Sequence, residues 1–281
     1  MSFRITAQSP LALPAAQVSY FLAETCGADA REISPHAHQW ISMSPPSAAL
    51  REQASVAHID LNAIPTRWRW DDIGLLASDM DSTLISVECI DEIADFAGLK
   101  AQVAAITERA MRGELNFPQA LRERVAMLKG LPHSVLAQVF EQRVRLTPGA
   151  LDLVNAAHAV GARSILVSGG FTFFTQALQA ALALSETHAN VLGIDSQGKL
   201  TGTVEGAIVD GEAKAVAVKR AKEKLSAGKL TIAMGDGAND LPMMQVADLS
   251  VAYRAKPSVR AQANVCLQHC GLFAVRQLFP H

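Results

Sequence analysis

The chain of 281 residues carries 25 basic and 27 acidic side chains, a formal charge of −2, with 49% hydrophobic and 19% charged residues. At ~150 residues per domain, that length allows two packed units or one large unit with an insertion, and the composition excludes a disordered, collagen-like or disulfide-scaffold chain. The near balance of charge also removes the broad basic field of a nucleic-acid binder.

The first residues, MSFRITAQSP, run into Pro14, Gln17 and Glu24, where a signal peptide would need an unbroken apolar core. Residues 15–26 (AAQVSYFLAETC) predict a helix and HQWISMS a strand, with Ser44-Pro45-Pro46-Ser47 as a breaker. The polar stretch PTRWRWDD suggests a boundary near residues 67–72. Residues 1–72 are therefore expected to form a small α+β region with a packing or regulatory role.

From Ile73 the texture changes to short apolar runs separated by helical stretches, as in parallel strands joined by crossover helices. The runs are IGLLA, SILV, NVLGI, LTIAM and LSVAY. Three of them end in polar clusters: Ser78-Asp79-Met80-Asp81-Ser82-Thr83, Ser168-Gly169-Gly170, and Gly235-Asp236-Gly237-Ala238-Asn239-Asp240. Strand C-termini of a parallel sheet share one edge, where open α/β folds bind ligands, so the clusters are expected to converge. The stretch between Asp81 and Ser168 is far longer than the ~30 residues of a simple βαβ unit. It reads as a helical cap over about 86–146. Val87, Ile90, Ile93, Ala94 and Ala97 form one apolar face stopped by Gly98. Asn116 caps a second helix striped by Phe117, Leu121, Val125 and Leu128 and closed by Gly130. KLTGTVEGAIV has the alternation of a β-hairpin, and residues 212–225 form an amphipathic helix rich in Ala and Lys. The whole is expected to be an α/β protein: a Rossmann-like, three-layer parallel sheet core over residues 73–281, with a helical cap after its first strand.

Carboxylates at the end of a buried strand are costly unless a cation or donors meet them. The D-x-D pair of Asp79 and Asp81, with Asp236 and Asp240 on the same edge, makes a hard oxygen-rich cluster that suits Mg²⁺ better than Zn²⁺. Mg²⁺ points in turn to phosphate. D-x-D-S-T alone also reads as a turn capping the next helix, and Ser168-Gly169-Gly170 alone as a flexible loop. Together and in this order, the clusters favour a hydroxyl and backbone N–H groups that donate to phosphate oxygens.

The ordered set DMDST, SGG, a downstream Lys and GDGAND resembles the haloacid dehalogenase-like phosphatase superfamily over roughly residues 73–281. The segments DMDSTLISVECIDEIA and MRGELNFPQALRERVAMLKGL, with VSGGF and DGEAKA, resemble its branch that acts on phosphoserine. The resemblance implies that Asp79 is the nucleophile and Asp81 the general acid and base. It implies Mg²⁺ on the side chains of Asp79 and Asp236 and the backbone carbonyl of Asp81. Ser168, the Gly169 N–H and Lys214 would hold the phosphoryl oxygens, and Asn239 would bond substrate or phosphate. Asp240 would support the metal shell or Lys214. The implied reaction hydrolyses O-phospho-L-serine to serine and phosphate, the last step of serine biosynthesis.

Selecting phosphoserine requires one basic and one acidic partner besides the phosphate site. Arg124 shares a helical face with Phe117, Leu121 and Leu128, so it either covers core with its stem or aims its fork at the substrate carboxylate. Glu88 is placed to pair with the amine by the resemblance; its own helix face, with Asp91, Glu92 and Asp95, reads as solvated. Lys214 has the same ambiguity beside Lys219, Lys222 and Lys224. The resemblance implies that Met111 and Phe117 help close the pocket over the substrate, whereas their helical spacing reads as core, and His133, His158 and His188 stand alone without metal-ligand spacing. A related enzyme acting on another phosphate ester, or passing the phosphoryl group to an acceptor alcohol, stays open. A receiver-like domain that is phosphorylated without turnover is disfavoured by Asp81.

Cys26, Cys89, Cys266 and Cys270 show no C-x-x-C pair and read as reduced packing residues. No run approaches the ~18 apolar residues of a membrane span. The expectation is a cytoplasmic enzyme with a small-molecule substrate and no nucleic-acid or membrane partner, with a homodimer left open.

Overall fold

The computed structural model describes residues 1–280. The chain begins with β1 (Phe3–Gln8), α1 (Ala15–Glu24), β2 (Ala28–Ser34), β3 (Ala37–Ser42), α2 (Ala48–Val56) and β4 (Asp60–Pro65), whose strands pair antiparallel in the order β2-β3-β1-β4. The helix expected over residues 15–26 is α1, and HQWISMS holds β3. Alternation along β1 sorts its side chains: Ile5 and Ala7 pack with Val18, Phe21 and Leu50 of the helices, while Gln8 on the other face reaches across to the carbonyl of Ala274. This sheet is thereby anchored to the C-terminal turn Leu272–Leu278.

The second sheet contains β5 (Ile73–Ser78), β6 (Arg163–Phe171), β7 (Glu186–Ile194), β8 (Leu200–Glu205), β9 (Leu230–Gly235), β10 (Leu249–Tyr253) and β11 (Val265–Leu267). Its order is β11-β10-β9-β5-β6-β7-β8, parallel throughout except for β8. All five apolar runs are strands. Every residue of β5 is buried, because helices cover both faces. Leu75 and Ala77 face one layer and Leu76 the other. The α/β core is therefore three-layered, as expected. KLTGTVEGAIV does not fold as a hairpin by itself: β8 turns back on β7 and pairs with the preceding NVLGI run, Val191 opposite Glu205. The three-residue β11 carries too little periodicity to have been foreseen.

The cap between β5 and β6 consists of α3 (Cys89–Phe96), α4 (Lys100–Met111), α5 (Phe117–Ala126) and α6 (Ser134–Gln142). Gly98, at φ +71°, ends α3 in the left-handed conformation that glycine adopts without strain. Asn116 caps α5 by accepting from the Gln119 N–H, and the Gln119 side chain accepts in return from the Asn116 N–H. The cap meets the core edge through Gly130, whose N–H donates to the carbonyl of Leu200, and Leu131, whose carbonyl accepts from Leu200. The remaining helices, α7 (Ala150–Ala159), α8 (Thr172–Leu182), α9 (Gly211–Lys222), α10 (Leu241–Gln245) and α11 (Pro257–Arg260), flank the sheet or link its strands. Among the described residues, no helix is long and apolar enough to cross a membrane.

Candidate active site

The three polar clusters meet at the C-terminal edge of β5, β6 and β9. Asp79 extends β5 by one residue, its N–H donating to the Met234 carbonyl of β9 at 2.9 Å. The chain then turns sharply, with Ser82 in the left-handed region at φ +54°, a strained position for a non-glycine residue. The turn brings Asp81 Oδ1 to 3.2 Å from the Cys89 N–H at the start of α3 and Asp81 Oδ2 against Gly170. A Cβ on Gly170 would lie 2.8 Å from that oxygen, so no larger residue fits there without displacing Asp81.

Pairing of β6 with β7 slips between Val167 and Phe171, which frees Ser168, Gly169 and Gly170 from the regular ladder. The Ser168 hydroxyl oxygen accepts from the Gly170 N–H at 2.8 Å, leaving its own hydrogen available for another acceptor. The carbonyl of Gly169 is fixed by the amide of Asn190 at 2.8 Å, and Asn190 also accepts from the Val209 N–H. Asn190 is a buried strut beneath this loop that no motif marks in the sequence. The ring of Phe117 lies over Gly169, closing the site from the cap side.

Behind the loops, Lys214 is fully buried, which rules out a solvated lysine. Its ammonium lies 2.8 Å from Asp79 Oδ1 and 2.7 Å from Asp240 Oδ1. The other oxygen of Asp240 accepts from the N–H groups of Asp236 and Gly237, so Asp240 is committed to Lys214 and to shaping the GDGAND turn. Carboxylate oxygens of Asp79, Asp236 and Asp240 all lie within 4.8 Å of one another. Of these three, Lys214 pairs with Asp79 and Asp240, so one ammonium stands against three carboxylates.

The electrostatics follow from that imbalance. Burial, then the charge of Asp240, pushes the Asp79 carboxyl well above its usual range despite Lys214. Burial and then Asp240 raise Asp236 to about 7. Burial and then Glu88 raise Asp81 to about 7. Burial alone would pull the Lys214 ammonium down, but Asp240 and Asp79 hold it above its ordinary value. Such a crowded set of oxygens is the environment a hard divalent cation relieves.

A cavity of about 450 Å³ opens over these groups, a size common among small-molecule sites. Asp79, Asp81, Glu88, Arg124, Ser168, Gly169, Asp236 and Asn239 all line it; of the site residues expected from sequence, Lys214 and its partner Asp240 lie buried behind the wall. Glu88 is exposed and accepts from the Ser82 hydroxyl at 2.7 Å. Arg124 projects from α5 beside Phe117 and Leu121, with the Ala120 carbonyl of its own helix as its only hydrogen-bond partner among the described residues. Burial lowers its guanidinium, against the pull of Asp91 and Glu88. Acid and base thus face the same cavity from the cap. Met111 is 68% exposed and belongs neither to the core nor to the cavity. Lys256, just before α11, lines the cavity too; it lies outside the three strand-end clusters, so nothing in its local sequence marks it.

A model of the haloacid dehalogenase-like hydrolase family matches residues 76–245. Over 213 residues the chain is 50% identical to the phosphoserine phosphatase of Polaromonas sp. strain JS666, a span covering 74% of this chain and 90% of that protein. Two crystal structures match 99% of this chain. One is a probable phosphoserine phosphatase from Vibrio cholerae in unliganded form, with TM-score 0.82 and 36% identity over 85% of that chain. The other is a HAD family hydrolase from Salmonella enterica serovar Typhi, with TM-score 0.88 and 30% identity over 98% of that chain. The structural likeness therefore includes the four-stranded N-terminal sheet, which lies outside the sequence resemblance.

Proposed function

Because the chain belongs to the haloacid dehalogenase-like hydrolases and is a phosphatase, we propose that its substrate is O-phospho-L-serine, hydrolysed through a phosphoryl group carried on Asp79. The observation that carries this reading is the meeting of Asp79, Asp81, Asp236 and Ser168 in one cavity whose cap side presents both a free guanidinium, Arg124, and a carboxylate, Glu88. A ligand with one phosphate, one carboxylate and one ammonium matches that division of charge.

An Asp79 oxygen attacks phosphorus, the bond from phosphorus to the serine oxygen breaks, and the departing oxygen takes the proton of Asp81. Asp81 then accepts a proton from water as the water oxygen attacks phosphorus and the bond to Asp79 breaks, releasing phosphate. A carboxyl raised to about 7 is suited to both transfers, since both protonation states are populated near neutral pH. Ser168 and the Gly169 N–H donate to the phosphoryl oxygens, and Asn239 bonds the substrate at the cavity wall. Lys214 acts from behind the wall, holding Asp79 in its attacking position and contributing positive charge near the phosphoryl group. Arg124 takes the carboxylate of serine and Glu88 its ammonium.

The oxygen cluster fits Mg²⁺: Asp79 and Asp236 carry raised carboxyl groups beside a single ammonium already shared with Asp240. Asp79 and Asp236, with the Asp81 carbonyl, would hold the ion, which when bound supplies the charge that lets an anionic nucleophile approach an anionic phosphate. The reaction yields free serine, the end of a phosphorylated route to that amino acid. Phosphate release from phosphoserine tests the reading: turnover with Mg²⁺ and none with excess chelator is expected, and no turnover with Mg²⁺ overturns it.

A further inference from the structure

A second cavity, of about 340 Å³, lies away from the phosphatase cleft, in the seam where α2 and β4 meet α11 and β11. Ile59, Leu61 and Pro257 supply apolar wall; Arg51, Arg260 and Gln268 supply polar wall. The acid at this seam is already committed. Asp60 accepts from the N–H groups of Gln268, His269 and Cys270 at 2.8, 3.2 and 2.9 Å. The arginines are not so matched. Arginine ion pairs among the described residues are at Arg109, Arg112, Arg143 and Arg163, all elsewhere. Arg51 donates one bond, to the carbonyl of Asn264 at 3.2 Å, and its Nε, like Gln268 Nε2, is buried without an acceptor. Glu52 also lines the cavity, from the exposed face of α2, without pairing to either arginine.

Burial pulls the Arg51 guanidinium below its usual range, with only the Cys266 thiol set against it. Burial raises that thiol in turn, while Arg51 and Arg260 both pull it down; all three side chains line the same cavity. Among the described residues, two buried donors of the wall, Arg51 Nε and Gln268 Nε2, thus lack acceptors, and neither arginine is ion-paired although the Glu52 carboxylate lies on the same wall. Such groups are stabilised by an oxygen-rich anion, which a planar guanidinium binds through two parallel hydrogen bonds. The volume is that of a small-ligand site. We propose that this seam cavity binds a small anion, its carboxylate or phosphoryl group held by Arg51 and Arg260 and its remainder covered by the apolar wall. The proposal is independent of the phosphatase reading, because neither arginine touches that cavity.

Titration of the full chain with malonate and, separately, with inorganic phosphate tests the site, in the wild type, Arg51→Met, Arg260→Met and the double variant. Binding of at least one anion at millimolar concentration or below is expected, weakened at least about tenfold in each single variant. Turnover of p-nitrophenyl phosphate should be unchanged in all four proteins. Malonate alone would identify a carboxylate site and phosphate alone a phosphoryl site. Since phosphate also binds a phosphatase as product, only binding lost in the double variant counts. If every anion that binds the wild type binds the double variant equally well, or if neither binds, the proposal is wrong. Arg260→Met keeps the test open should Arg51→Met disturb folding through its lost bond to Asn264.

Discussion

At the seam between the N-terminal sheet and the core, Asp60 meets three backbone N–H groups, and Asn62 exchanges two hydrogen bonds with the backbone of Cys266. In the cleft beneath the cap, Asp79 and Asp240 share one ammonium with Asp236 crowded beside them, and Asp81 lies under the charge of Glu88. Both places bury carboxylates, but the first satisfies its acid completely and the second leaves its acids in excess. A satisfied carboxylate fixes one piece of chain to another; an under-compensated set is a place held ready for a cation and a reaction.

Substitution of one acid from each place separates the two designs. Asp79→Asn should lower turnover of phosphoserine by about four orders of magnitude or more. Its unfolding midpoint should stay near that of the wild type, since Lys214 keeps Asp240 as partner. Substantial activity in that variant would erase the distinction. Asp60→Ala should do the reverse. With three buried donors left unmet it should destabilise the protein by about 3 kcal/mol or more in a denaturant titration, while kcat/KM per folded molecule is retained.

Within the cleft, Arg124→Ala should lower kcat/KM for phosphoserine roughly 10–100-fold, the worth of a charge-assisted hydrogen bond. It should change kcat/KM for p-nitrophenyl phosphate, which lacks the carboxylate, by less than about threefold. Equal losses on both substrates would remove Arg124 from substrate selection.

The smallest effect is one of pH on the metal-free protein. Asp236 and Asp81 titrate at about 7 when folded, against about 3.9 in an unfolded chain. The folded state thus holds protons that the unfolded state has released, and stability falls as pH rises from about 4 to about 7, then levels. Mg²⁺ should raise the melting temperature by several degrees at pH 8 and by little at pH 4.5. An equal shift at both pH values would contradict the excess of negative charge in the cleft.

The cleft was more legible in the sequence than the seam, for a physical reason. Parallel strands buried on both faces must be apolar runs, so β5, β6, β9 and β10 announce themselves, and the polar clusters at their ends stand out against them. Asn116 and Gly98 likewise mark the ends of α5 and α3 by local capping chemistry. Asp60, Asn190 and Lys256 act through partners far along the chain or by facing a cavity, and nothing in their neighbours distinguishes them. The burial of Lys214 between two aspartates was hidden among the other lysines of α9. The pairing of β8 with β7 depended on a turn whose partner strand the local alternation did not reveal.

The central claim, that Asp79 itself carries the phosphoryl group, is tested most directly with Asp81→Asn and p-nitrophenyl phosphate. This substrate leaves without needing a proton, whereas the following attack by water still needs the base. One equivalent of nitrophenolate per enzyme should appear rapidly, and acid-quenched protein analysed by mass spectrometry should carry one phosphoryl group on Asp79. Nitrophenolate release with no phosphorylated enzyme, or with the phosphoryl group on another residue, would contradict the account.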